Sequence, residues 1–452
     1  MAMGLSAGEK PIEGLFADLE RDNVETVHLG IFDLDCILRE RRFGLAQARN
    51  FLLNGPTFVN VLHKWDAGDS VIADGPFVGE PIAADPDSVR PYPFGPGSAL
   101  LLADYTGPSK QTSARELLRA QIEKARAQGF DIKAAFEFEF IVLAETAESL
   151  RAKNFDNLDL FAPDNKCWSG LSSAVHHDLI AGLEAALAAG GVGVEALGME
   201  LGPGCLEATL SATDPMAAAD EAALFRLYTK AFCRSRDLTA SFMAQLSGDA
   251  PGLSGHLHLS LSDAETGRNL FFDGARDNSM SALFGQFVGG VTALTPELLP
   301  LAAHTVNAYR RLTPGNWAPR SATWAVQNYA SAVRVVSAPE PVCRMEYRLS
   351  ASDTNPYLTL AMIIAAGLHG IENGTALPAP MEGGGPDETP DGVPTLPHDL
   401  HEAVARLEAS DTARTLFGER FIDYFVHSRR HEETTLRRQV SGFERARYLE
   451  AI

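Results

Sequence analysis

The sequence predicts an α+β fold in two parts, a small strand-rich domain over residues 1–110 and a larger one over 111–452. Three observations carry this. Proline and glycine punctuate the first part densely, at 75–76, 81, 86, 91–97 and 107–108, which suits short strands joined by turns. At Ser113 the pattern changes to long runs with apolar residues at helical spacing. Beyond it, segments of strict period two alternate with those runs, so the boundary falls near 108–113.

In chain order, IEGLFADLER (12–21) reads as a helix, ETVHLGIFDLD (25–35) as an apolar strand and CILRERRF (36–43) as a second strand. The run SARELLRAQIEKARAQGF opens on a serine cap and ends at a glycine stop. Residues 177–189 and 215–235 read as helices, and His176, His177 and Asp178 as the start of the first of these. Leu358 to Leu368 is the most apolar stretch; a bilayer span needs ~20 residues, so it reads as a buried helix. Residues 374–398 read as a Pro/Gly-rich surface loop ahead of a helical C-terminal segment, where Arg429, Arg430, Arg437, Arg438, Arg445 and Arg447 at helical spacing suggest a solvated or intersubunit face. No internal repeat or heptad is evident.

Composition narrows the function. With 38 Lys+Arg against 59 Asp+Glu, the net charge is −21, which argues against nucleic acid or an anionic membrane as partner. Cys36, Cys167, Cys205, Cys233 and Cys343 are scattered and odd in number, which suits a reducing compartment without disulfides. The first sixteen residues lack a basic-then-apolar secretory pattern. A soluble, cytoplasmic protein is the expectation.

Four strand-like segments carry ligand-type residues on one face. AAFEFEF alternates Glu137 and Glu139 with phenylalanines, and GHLHLSL alternates His256, His258 and Ser260 with leucines. RMEYRL alternates Arg344, Glu346 and Arg348 with Met345 and Tyr347, while MELGPGCLEATL sets Glu200 and Glu207 about a Gly-Pro-Gly turn. Successive strand side chains face opposite ways, so each segment has one apolar face and one of metal or anion ligands; Met199 and Met345 fall on the apolar side. Singly, each pattern suits a solvated face. Together, five converging glutamates would repel unless cations neutralised them. Carboxylates with one imidazole suit Mg²⁺ or Mn²⁺ rather than zinc. Arg311, Arg334, Arg344 and Arg348 then remain to hold carboxylate and phosphate oxygens, a combination fit for phosphoryl transfer. No GxxxxGK[ST] loop or convincing GxGxxG is present, so ATP would be held through metals and arginines.

The blocks FEFEF, VEALGMELGPGCLE, GHLHLSL, NAYRRLTPGNWAP, NYASAVRV, RMEYRLSASDTNPYLTLAMIIAAGLHGI and FERARYL resemble the glutamine synthetase superfamily over nearly the whole chain. The resemblance implies an N-terminal β-grasp domain, a catalytic domain with a curved antiparallel sheet, and a homo-oligomeric ring, a dodecamer, with sites at subunit interfaces. It implies Glu139, Glu200 and Glu207 as ligands of one metal and Glu137, His256 and Glu346 of a second, with two or three Mg²⁺ (or Mn²⁺) per site. It implies nucleotide contacts from Glu195, His258, Ser260, Arg334 and Arg344, and glutamate contacts from Glu139, Gly252, Arg311 and Arg348. Arg311, Arg334 and Arg348 would be the catalytic arginines. The implied chemistry is attack of the glutamate γ-carboxylate on ATP to give γ-glutamyl phosphate, then displacement of phosphate by an amine.

Departures from that pattern locate the difference. The flap reads Pro314-Gly315-Asn316-Trp317-Ala318-Pro319, with Trp317 where ammonia-using members carry a glutamate, and no FDGSS-type carboxylate motif is present. Losing both anions and gaining an indole favours an amine with an apolar or aromatic body, though cation–π contact leaves alkylamines and polyamines open; packing of the flap is the alternative role for Trp317. Tyr329 stands where the family has an arginine near the transferring phosphate, a loss that Arg310 or Arg320 would have to offset. Cys205 replaces a usual glutamine, the loop before His256 is altered, and the adenylylated tyrosine motif is absent from 374–398. Phe58 and Trp65 are left without a placed role. The expectation is an ATP-dependent ligase joining L-glutamate to an organic amine in amine catabolism. Glutamine synthetase proper and γ-glutamylpolyamine synthetase are the alternatives within the class, and a non-catalytic ring-forming member lies outside it.

Overall fold

A computed structural model of the chain describes residues 12–248, 250–385, 388 and 390–452. Most of the segment read for a secretory pattern, residues 1–11, lies outside them, as do three positions of the 374–398 loop.

The Gly/Pro-punctuated first part forms one sheet from β1 (Thr26–Phe32), β2 (Leu38–Gly44), β3 (Thr57–Val59), β4 (Gly79–Ala84), β5 (Arg90–Pro91) and β6 (Ser98–Tyr105). Their order is β2-β1-β6-β4-β3, with β5 on β6. The central pair β1–β6 is parallel and the flanking pairs are antiparallel, the β-grasp arrangement. Both central strands are buried along almost their whole length because both faces are covered. Val27, Leu29 and Leu101 meet the helix Ile12–Arg21 in a small core, while Phe32, Leu100 and Leu102 join the main core of the molecule. The second strand starts two residues later than expected, because Cys36 takes a left-handed φ of 58° in the turn that Asp33 closes on the Ile37 N–H. A helix over Leu45–Leu53, too short for its periodicity to stand out, was not anticipated.

The second sheet comprises β7 (Phe130–Leu143), β8 (Val194–Met199), β9 (Cys205–Leu210), β10 (Thr239–Ser241), β11 (Gly255–Asp263), β12 (Trp324–Val326), β13 (Val333–Val336) and β14 (Arg344–Tyr347). The order is β12-β13-β14-β11-β7-β9-β8, with β10 on β7. Among the described strands the pairs are antiparallel, as expected, except the edge pair β12–β13. On β7 the phenylalanines turn down into the core: Phe136, Phe138 and Phe140 have no exposed surface, and the Phe138 ring stacks on Phe225 at 5.7 Å. Glu137 and Glu139 are thereby turned to the opposite face. Met199 and Met345 are buried, as expected.

Helices close the apolar side. Ala114–Ala127 begins at Ser113, whose Oγ accepts the Glu116 N–H. His177–Ala189 and Pro215–Arg234 start where the sequence placed them. Ala282–Leu301 is by length and composition long enough to cross a membrane, but Phe284, Phe287, Val288 and Val291 pack it inside the main core. Its neighbour Pro356–Glu372 is the expected buried helix, and Asn355, which caps it, also donates to the Leu34 carbonyl of the first sheet's segment.

One expectation fails in the C-terminal segment. Arg429 is 2% exposed, not solvated: its Nη1 lies 2.8 Å from Asp35 and donates to the His304 carbonyl, so it ties the helix Glu419–Arg437 to the loop after β1. The other five C-terminal arginines are exposed.

Candidate active site

Period-two alternation and strand register together assemble the ligand face. His258 of β11 stands opposite Glu346 of β14, which stands opposite Arg334 of β13. In the next row His256 stands opposite Glu137 of β7, and Glu137 opposite Thr209 of β9. Glu139 opposite Glu207 forms the third row. Residues far apart in sequence therefore share one face because strand pairs bring opposite Cβ atoms to ~5 Å.

The middle of this lattice is tightly drawn. Ligand atoms of Glu137, His256 and Glu346 lie within 4.8 Å of one another. His256 Nδ1 is 3.4 Å from Glu346 and 3.7 Å from Glu137, and His258 Nε2 is 3.2 Å from the other oxygen of Glu137. Arg344 Nε donates to His258 Nδ1 at 3.1 Å, which fixes the tautomer and leaves the Nε2 hydrogen directed at Glu137. Thr209 Oγ1 adds a 3.4 Å hydrogen bond to Glu137. Arg334 and Arg348 both form ion pairs with the buried Glu346.

The electrostatics follow from burial. Burial alone would raise the Glu137 carboxyl, but the imidazoles of His256 and His258 hold it far below the usual carboxylate range. Glu346 is likewise lowered against its burial by His256 and Arg348. Burial, reinforced by Arg348, lowers His256 and keeps it a neutral imidazole. Glu207 goes the other way: burial and the carboxylates of Glu139, Glu137 and Glu200 push it up to about 8. Such mutual repulsion is the condition that a divalent cation relieves. Among the described residues, Arg311 Nε is buried without a hydrogen-bond partner, a cost of about 1–3 kcal/mol unless a ligand satisfies it. Oxygen donors with one imidazole fit Mg²⁺ or Mn²⁺.

The remaining site residues are distributed as follows. Glu139, Glu200 and Glu207 do not gather within the span that the first trio keeps, among the described residues. Glu139 Oε2 accepts the Ser254 N–H at 2.6 Å, and Glu200 accepts from the Trp168 indole at 2.7 Å and the Cys167 thiol at 3.1 Å. Burial and Glu200 push that thiol up to about 12, so it stays protonated and donates. Glu195 is the unpaired residue of a β-bulge in β8 and is exposed, a device that re-aims a side chain. Ser260 lies on the His258 face of β11, half-buried.

Arg311 ends the short helix Ala308–Arg311 and is buried, donating to the carbonyls of Arg348 and Leu349; burial lowers it to about 10. Gly252 is pressed against it: a Cβ there would sit 2.7 Å from Arg311 Cγ. In the flap, Asn316 Nδ2 donates to Gln245 Oε1 at 3.1 Å, and the next residue, Trp317, takes φ 53° with 63% of its surface exposed. The indole is therefore not buried as flap packing. The Tyr329 ring lies 4.0 Å from the Arg334 guanidinium and 5.4 Å from that of Arg348, and its carbonyl accepts from Arg348 Nε. Arg310 lines a separate cavity of about 260 Å³ with Asp399, His401 and Glu433. Phe58 is buried in the small core and Trp65 lies under Arg39.

The sequence reading missed Thr209, Gln245, Cys167 and Trp168. Thr209 was reachable, two residues beyond Glu207 on the same strand face; the other three contact the site across loops and leave no periodic signal.

Known proteins share this fold. The glutamine synthetase catalytic-domain family matches residues 111–448. A type-1 glutamine synthetase 2 of Dictyostelium discoideum is 35% identical over 93% of this chain and 82% of its own length. A glutamate–isopropylamine ligase of a Pseudomonas species is 30% identical over 96% of this chain and 97% of its own. The solved ligand-free structure of GmaS superposes with a TM-score of 0.82 at 24% identity, covering 96% of this chain and 99% of that one, which shows the common fold. With three-quarters of its length matched to that catalytic domain and a 35% identical relative covered over most of its length, the chain belongs to the glutamine synthetase family and is a ligase of that type.

Proposed function

We propose that this ligase joins the γ-carboxylate of L-glutamate to an organic amine other than ammonia, through γ-glutamyl phosphate, at the expense of ATP. The observation that carries the reading is the flap: where a carboxylate would attract ammonium, Trp317 presents an exposed indole, a face for an apolar, aromatic or alkyl amine. The 30% identical isopropylamine ligase supports it.

In this reading Glu137, His256 and Glu346 hold one Mg²⁺ or Mn²⁺ and Glu139, Glu200 and Glu207 another, in a site that takes two or three. The bound cations supply charge neutralisation for the nucleotide phosphates. Arg334 lies against the phosphates, and Arg344, Glu195, His258 and Ser260 meet the rest of the nucleotide. Arg311 and Arg348, with Glu139 and the Gly252 loop, orient glutamate so that a γ-carboxylate oxygen attacks the γ-phosphorus and ADP leaves. The amine nitrogen then attacks the acyl carbon and phosphate departs. Preorganised guanidinium groups act here by position and charge, and the Tyr329 ring keeps Arg334 stacked while that happens. Assembly into a cytoplasmic ring with interfacial sites belongs to the same reading, and sedimentation of the full chain tests it.

A second reading, synthesis of glutamine from ammonia, is favoured by the 35% identical glutamine synthetase relative. Phosphate release from ATP, Mg²⁺ and glutamate, compared across ammonia, isopropylamine, ethanolamine, putrescine and aniline, separates the two. Fastest turnover with an organic amine is expected; fastest turnover with ammonia decides for glutamine synthesis.

A further inference from the structure

Glu200 is gripped by a loop that no strand pattern announces. Asn165 Nδ2 donates to the Glu200 carbonyl at 2.7 Å and to the Gly202 carbonyl at 2.9 Å, fixing the backbone just beyond β8. From the same loop, the Cys167 thiol and the Trp168 indole N–H each donate to the Glu200 carboxylate, at 3.1 and 2.7 Å. Trp168 reaches it from a left-handed backbone at φ 52° with 79% of its surface exposed. A bulky residue in that region is uncommon and persists where its surroundings over-determine it. An indole this exposed has little packing to hold it; its hydrogen bond to Glu200 is what orients it.

Counting acceptor positions sharpens the consequence. An ionised carboxylate has about four lone-pair sites, two per oxygen. Oε1 accepts from Cys167 Sγ and from the Leu201 N–H at 2.9 Å, and is filled. Among the described residues, Oε2 accepts from Trp168 alone and keeps one position open. The geometry points to Trp168, with Cys167, as a positioning residue that turns Glu200 into a one-oxygen metal ligand acting through Oε2. This rests on the reading of Glu200 as a metal ligand. Donors that orient ligating groups are typically worth 10–100-fold in metal affinity.

Mn²⁺ binding to the full-length protein, followed by electron paramagnetic resonance, tests this without turnover. In Trp168→Phe, which keeps a ring and removes the N–H, one class of Mn²⁺ site is expected to weaken about 10-fold or more while the Glu137–His256–Glu346 class is unchanged. Trp168→His, which restores a ring N–H, should recover much of that loss. Wild-type Mn²⁺ affinity in Trp168→Phe overturns the proposal, as does a loss that merely accompanies a lower melting temperature of the metal-free protein. Unchanged Mn²⁺ binding in Glu200→Ala instead overturns the reading of Glu200 as a ligand, so the two failures are distinguishable.

Discussion

At the flap, the proposed choice of an organic amine over ammonia rests on one residue, Trp317. Trp317→Glu restores an anion beside the acceptor position and removes the indole face, so the ratio of ammonia to organic-amine turnover is expected to rise. Phosphate release with both acceptors measures it, and an unchanged ratio removes the flap from the specificity account. Glu346 is the second decisive residue, the shared carboxylate between Arg334 and Arg348 with 1% of its side chain exposed. Glu346→Gln leaves two buried guanidinium groups without their anion. Breaking a buried pair costs about 3–5 kcal/mol, so the metal-free protein should unfold at clearly lower urea, a shift that the wild-type metal-free protein does not show.

Elements meet where glycine permits it. The helices Ala282–Leu298 and Pro356–Glu372 approach so closely that a Cβ on Gly290 would lie 2.2 Å from the Ala366 carbonyl and one on Gly370 the same distance from that of Gln286. Since these neighbours are backbone, the helices themselves would have to separate. Gly290→Ala should therefore destabilise despite its better helix propensity, by about 1–3 kcal/mol as overpacking does, readable as a lower melting temperature. At the join between the first sheet and the C-terminal helices, His63 is buried with Nδ1 on Thr112 and its ring between Tyr105 and Tyr424; burial lowers its pKa to about 4. The unfolded imidazole titrates near 6.5, so between about 6.5 and 4 the unfolded state binds the extra proton and stability falls as pH falls. The contribution changes by about 1.4 kcal/mol per pH unit inside that window. Wild type compared with His63→Leu isolates it: their stability difference should shift against wild type from pH 6.5 towards 4 and stay constant above 7.

Across the whole molecule, the two sheets are stitched by buried charge. Arg115 on the helix Ala114–Ala127 pairs with Asp104 of β6, Asp85 before β5 and Asp220 of the helix Pro215–Arg234, while Arg429 pairs with Asp35. Arg429→Met strands the mostly covered Asp35 carboxylate, 11% of whose side chain is exposed, and should cost about 3 kcal/mol in denaturation of the full chain.

Much of this was legible in the chain itself. Strand β7 announced both its faces through FEFEF, because period-two side chains must separate phenylalanine from glutamate, and the Ser113 cap and the helix at 177 lay where local chemistry put them. Local rules named the ligand-type residues, and the resemblance to the family located the Trp317 and Tyr329 departures. They could not tell a buried arginine from a solvated one at 429, because its partner Asp35 is nearly four hundred positions away. Nor could they show that Tyr329 stacks on Arg334, or that Trp168 and Cys167 close on Glu200, since loop contacts carry no period. The sequence by itself determined which chemistry each strand face offers and the α+β class. Only the tertiary structure decided which carboxylates converge, which are held apart by N–H donors and which charges are desolvated, because strand register, loop conformation and burial are set by packing between distant segments.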